Sequence, residues 1–222
     1  MTQNYSSSQL EARSLARSHA PVKVIHPGHM EVLGAGLVLL TAPHAGGGRG
    51  DVNTGQIVEE ASRRANSYAV IGKTSREVID LNRVESAQTD FRKSINEILD
   101  ENGVRCILDV HGKKESGIDI GTCRGTTASD GLTELVRTRL SKDFKVKVND
   151  KYMGNKPGSI VTTYGKKDAL GQFRVEAVQL EFGLKERLLE RDTIVTVLVD
   201  LVVMINAKLS LLEGGLGSTQ VH

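Results

Sequence analysis

Short apolar runs alternate with amphipathic stretches along most of this chain. Leu37-Val38-Leu39-Leu40 is continuous and apolar, so it reads as a buried strand. It stops at Pro43, which has no amide donor for a central ladder. His44 and the glycines Gly46-Gly47-Gly48 follow at once. A second run, Cys106-Ile107-Leu108-Asp109-Val110-His111-Gly112, also ends in His and Gly. Val22–Ile25, Tyr68–Ile71, Gly117–Gly121, Lys145–Val148 and Val175–Gly183 read as further strands, the first as an edge. Helical periodicity covers 56–66, with Ile57, Val58 and Ala61 on one side and Thr54 as the predicted N-cap. It recurs over 89–102, capped by Thr89 and stopped by Gly103, then over 132–140 and 191–212. Strands alternating with helices predict one α/β domain.

Both histidines fall just past the carboxyl ends of strands, where open α/β sheets bind their ligands. Asp109 precedes His111 by two, so both side chains leave the strand on one side. A carboxylate there can fix the imidazole tautomer and raise its basicity, as metal-ligating histidines require. Two strand-end histidines therefore mark a candidate metal site. A catalytic zinc takes three protein ligands and keeps one position open. Asp51, within loop reach of His44, is the chosen carboxylate, with Glu59 and Glu60 as alternatives. His26-Pro27-Gly28-His29 is a turn whose histidines are a weaker metal candidate.

Asp80-Leu81-Asn82-Arg83 offers a guanidinium fork and an adjacent amide, suited either to a substrate carboxylate or to a surface ion pair. The loop Tyr152–Ser159 and the segment after it contribute Lys156 and Tyr164, as substrate contacts or as ordinary surface residues. Gln179 and Glu181 share one face of the last strand, and a carboxylate at a strand end facing a site can act as general base and then acid.

Composition narrows the function. The 222 residues suffice for one domain with a sizeable core. Residues 1–20 read as a flexible arm, 21–213 as the folded domain and 214–222 as a disordered tail. Aromatics make up only 4%, Trp is absent, and the net charge of +2 comes from scattered basic residues. A nucleic-acid partner is therefore not expected. Ile194–Ile205 is the most apolar segment, and Thr196 and Asp200 leave it too short and too polar to span a bilayer. Cys106 and Cys123, with no signal peptide in front of them, read as free thiols in a reducing cytoplasm.

Together, Pro43-His44-Ala45-Gly46, Ser75-Arg76 leading to Asp80-Leu81-Asn82-Arg83, Asp109-Val110-His111-Gly112 and Gln179-Leu180-Glu181 resemble the N-formylglutamate amidohydrolase family. The resemblance implies a three-layer α/β/α fold with a mixed, mostly parallel sheet, similar to zinc carboxypeptidases and to a phage poly-γ-glutamate hydrolase. It implies zinc, or another divalent metal, held by His44 and His111, with Glu181 activating water. Asn82 and Arg83, with Arg76 beside them, would grip the carboxylate of a small acidic amide or glutamyl peptide. The chain departs from carboxypeptidase-like members at Gly47, where those often carry Glu, which leaves Asp51 to complete the ligand set. The rival expectation is a non-catalytic carboxylate-binding protein on the same fold.

Overall fold

The computed structural model describes residues 20–46 and 51–216. The arm up to residue 19, Gly47 with its neighbours through residue 50, and the tail from 217 lie outside the described residues. The nine strands are β1 (Val22–Ile25), β2 (His29–Leu33), β3 (Val38–Ala42), β4 (Tyr68–Gly72), β5 (Cys106–Lys113), β6 (Ile118–Gly121), β7 (Val146–Val148), β8 (Lys166–Lys167) and β9 (Phe173–Gly183). The helices are α1 (Thr54–Ala65), α2 (Asp90–Glu101), α3 (Asp130–Leu140), α4 (Ile160–Tyr164), α5 (Leu184–Leu189) and α6 (Arg191–Leu216). The sheet runs β1-β2-β4-β3-β5-β9-β6-β7, and β8 pairs off this path with β9. Its centre, β4-β3-β5-β9, is parallel, and antiparallel pairs flank it.

Pleating sorts the core into two layers. Leu39, Val70, Ile107 and Ala177 face Phe91, Ile95 and Ile98 of α2 and Ile160 and Val161 of α4. Leu40, Ala69, Leu108 and Val178 face α1, α3 and α6. The chain is thus a three-layer α/β/α sandwich on a mixed sheet. From β3 the path leads through α1 to β4 on one side, while β5 sits on the other. Loops diverge there, opening a crevice at the carboxyl ends of β3 and β5.

Several local expectations shift for identifiable reasons. Thr54 opens α1 but does not cap it. Asn53 takes the cap position with φ 69°, a conformation that asparagine tolerates. Thr89 does cap α2, its hydroxyl accepting from the Arg92 amide at 3.4 Å. The segment after the Tyr152–Ser159 loop forms the short helix α4, started by Ser159. Gly214–Leu216, assigned to the tail, continue α6. The apolar segment around Ile194–Ile205 is part of a longer helix than expected, and its Arg191–Leu212 stretch, with hydropathy 2.0, is long and apolar enough to cross a bilayer. Here it serves as a core helix, with Ile194, Leu198, Leu201 and Ile205 buried against the sheet. Both cysteines are free thiols.

Arg187 on α5 braces the loop that carries Asp51. It is fully buried and donates to the carbonyls of Phe182, Val52 and Lys113, while Asn53 donates to its own carbonyl. One residue, through its guanidinium and its carbonyl, thus joins the ends of β9 and β5 to residues 52–53. Arg187→Met strands those carbonyls and is expected to cost ~3 kcal/mol or more. Thermal unfolding of the metal-free protein checks it. A shift within that of a neutral surface substitution would show that the brace is dispensable.

Candidate metal centre and active site

Thr41, Asp109 and Gln179 occupy one lateral row of the sheet, and His111 stands opposite Glu181 in the next. This register builds the floor of the crevice. Thr41 Oγ1 donates to Asp109 Oδ1 at 2.7 Å, and His111 Nε2 meets Asp109 Oδ2 at 2.8 Å. The Asn82 side-chain amide approaches the same Nε2 at 3.2 Å, and its Oδ1 accepts from the Ile160 amide. His111 Nε2 is therefore occupied, and Nδ1 is the nitrogen left for the cavity.

His44 is arranged in the same way. Asp80 Oδ1 holds its Nε2 at 2.7 Å. Its Nδ1 is buried, has no hydrogen-bond partner among the described residues, and lies 3.6 Å from Asp51 Oδ2. The two imidazole centroids are 5.0 Å apart. Asp51 Oδ1 accepts from the Gly112 amide at 2.6 Å, which aims its other oxygen at the histidines. The ligand atoms of His44, Asp51 and His111 all lie within 4.8 Å of one another. Two imidazoles with tethered far nitrogens, plus one carboxylate, are a donor set that fits zinc. Glu59 pairs with Lys23, and Glu60 with Arg64 and Arg191, so neither alternative carboxylate joins the cluster.

Electrostatics separate the roles. Burial lowers the His44 pKa, against the pull of Asp80, and so favours the neutral ring that binds metal. Burial would also lower that of His111, but Asp109 outweighs it and the value is pushed up to about 9. Burial would raise Asp80, yet the hydrogen bonds from His44 and the Asn82 amide hold its carboxyl well below the usual range. Glu181 goes the other way. Burial and the neighbouring Asp51, Asp109 and Asp119 push it up to about 7, against His111. Gln179 Nε2 donates to Glu181 Oε1 at 3.0 Å and orients it.

A cavity of about 450 Å³ lies over this floor. Arg76, Asn82, Arg83 and Lys156 line it with the metal cluster and Glu181. Tyr164 does not. It belongs to the core beneath α2, with its hydroxyl 3.5 Å from the Arg92 carbonyl, because α4 turns it away from the loop. Arg76 and Arg83 flank Asp80, at 3.0 and 3.7 Å. Arg83 also donates to the Asn82 carbonyl at 2.6 Å, and its side chain is 29% exposed.

The sequence reading passed over several contributors. Asp80 is the main one, and its alternation with Asn82 was the available signal. Lys113, Lys114, Lys151 and Tyr152 also line the cavity, and Lys113 is paired with buried Asp119. Asp80→Asn keeps the shape but removes the charge that makes His44 basic. Zinc affinity is expected to fall ~10–100-fold, measured by competition with a chromophoric chelator. An unchanged affinity would remove Asp80 from the site.

No protein-family profile matches the sequence, and no curated protein is detectably similar to it. Solved structures do match. An N-formylglutamate amidohydrolase from Ralstonia eutropha JMP134 superposes with a TM-score of 0.59 at 15% identity, over 85% of this chain and 97% of its own. A bacteriophage poly-gamma-glutamate hydrolase gives 0.52 at 14%, over 85% and 93%. A metallo-carboxypeptidase from Pseudomonas aeruginosa, in complex with (2-guanidinoethylmercapto)succinic acid, gives 0.56 at 14%, over 90% and 69%. The chain therefore has the carboxypeptidase-like fold that these hydrolase structures share.

Proposed function

We propose that this protein is a zinc-dependent amidohydrolase that cleaves an amide in a small acidic substrate, of the N-formyl- or N-acyl-glutamate or γ-glutamyl kind. The observation that carries the reading is the buried Nδ1 of His44, without a hydrogen-bond partner among the described residues, converging with Asp51 and His111 beside Glu181. A divalent ion held by these three residues would supply a Lewis acid that polarises a carbonyl and acidifies water. Glu181, as carboxylate, removes the proton from the attacking water and passes it to the leaving nitrogen. Arg83 lines the cavity and anchors the substrate carboxylate, with Asn82 beside it. Anchoring the carboxylate fixes the orientation of the reacting amide, which lowers the barrier by avoided entropy loss.

The test is hydrolysis of N-formylglutamate, longer N-acyl glutamates and γ-glutamyl peptides by the zinc-loaded protein. Turnover that chelation abolishes and zinc restores is expected. Binding of these compounds with no turnover at any zinc level would instead make the chain a carboxylate-binding protein. Arg83→Ala should raise KM ~10–100-fold, the worth of a charged hydrogen-bond pair. An equal KM for substrates with and without the carboxylate would remove Arg83 from that role.

A further inference from the structure

The turn His26-Pro27-Gly28-His29 is unused by the catalytic reading. It joins β1 to β2, and the His26 amide donates to the His29 carbonyl at 2.9 Å. The two histidines are thus cross-strand neighbours, one step beyond the Ile25–Met30 pair. Glu31 follows His29 by two and shares its face. The pleat points this face toward α2, where His29 Nε2 lies 2.8 Å from Ser94 Oγ and its ring meets Phe91 edge-on.

The geometry converges on one point. The two imidazoles stack at 4.3 Å with an interplanar angle of 6°, which aligns their edges. His26 Nε2 is 3.1 Å and His29 Nε2 3.5 Å from the same oxygen, Glu31 Oε1. One potential ligand atom from each residue lies within 4.8 Å of the others. His29 and Glu31 are buried, while His26 borders a cavity of about 600 Å³. Ser94 also donates to Glu31 Oε1 at 2.5 Å, which fixes the carboxylate, and its oxygen accepts the His29 Nε2 proton that a metal at that nitrogen displaces. The turn is anchored too, since the Gly28 carbonyl accepts from the Lys73 amide and the Thr74 hydroxyl.

We propose that His26, His29 and Glu31 form a second divalent-metal site, separate from the catalytic centre. Two imidazoles and one carboxylate suit zinc and its neighbours in the first transition row. Magnesium and calcium prefer sets built of oxygen. Three protein ligands beside an open cavity leave a coordination position for water or a small ligand. The two cavities are backed by one segment. Ile79 and Leu81 line this one, and Asn82 and Arg83 the catalytic one.

The experiment counts zinc in the tag-free full chain after equilibrium dialysis. His44→Ala/Asp51→Asn disables the catalytic centre, and the chain is expected to keep one equivalent. Adding His26→Ala and Glu31→Gln should remove it. His26→Ala alone, at a partly exposed residue, should leave the otherwise native chain with one equivalent fewer. A folded His44→Ala/Asp51→Asn chain with no stoichiometric zinc would overturn the proposal. So would zinc that persists when His26 and Glu31 are replaced in the chain whose catalytic centre is already disabled. The His26→Ala/Glu31→Gln chain reports on the catalytic centre alone, so failure of one site is distinguishable from failure of the other.

Discussion

Alanine at His44 is expected to abolish zinc binding at the catalytic centre and hydrolysis while leaving the metal-free fold almost as stable as before. Alanine at His111 should abolish both and destabilise the fold as well. The difference lies in what each histidine leaves behind. Asp80, the partner of His44, is partly exposed and keeps its ion pair with Arg76. Asp109, the partner of His111, is completely buried and would keep only the Thr41 hydroxyl and nearby dipoles. An uncompensated buried carboxylate costs ~3 kcal/mol, which in a chain of this size lowers Tm by about 6–12 °C. The penalty has a pH signature. The folded-state pKa of His111 is raised from 6.5 to about 9. Its contribution is therefore fully present below pH 6.5 and is lost as pH rises through about 9. In chelator, the gap in Tm between wild type and His111→Ala should narrow over that window. Zinc uptake displaces the same proton, so affinity should rise over the same range. Equal Tm losses for the two variants, or a zinc content equal to that of wild type in either, would dismantle this assignment of ligands and supports.

Period-two reasoning carried far because the floor of the site is a sheet. Asp109 with His111, and Gln179 with Glu181, could be placed on common faces without knowing the strand order. The order itself was not legible. Local patterns do not say that β9 inserts between β5 and β6, yet that insertion sets Glu181 opposite His111. Roles that depend on loop paths were also hidden. Asp80 reaches His44 only because the 73–83 segment folds back over the end of β3. Arg187 carries no local signal of its role, and only the docking of α5 onto β9 buries it. Tyr164 fell out for the opposite reason. The segment after the loop is a turn of helix, and the tyrosine sits on its core side. The sequence held the strand-end chemistry, and tertiary structure supplied the partners that orient it.

Glu181→Gln should lower turnover by ~10²–10⁴-fold, the worth of a positioned proton acceptor, and leave zinc content unchanged. Glutamine keeps the shape and the oxygen that accepts from Gln179, so substrate still meets a formed cavity. What it loses is the ability to take a proton. Stability should hold or improve, since burial and three nearby aspartates disfavour the charged form of Glu181. The pH profile carries the same logic. Without a cation the carboxyl ionises only near pH 7, well above its ordinary 4.5. Activity needs the carboxylate, so the acid limb of kcat/KM should fall as pH drops through the pKa of this group. A positive ion beside Asp51 and His111 favours the carboxylate, which moves that limb below pH 7 in the loaded enzyme. In Glu181→Gln the residual rate should lack this limb. A variant within tenfold of wild type, with the limb intact, would place the base on another residue of the cavity. Loss of zinc together with activity would make Glu181 a metal ligand instead.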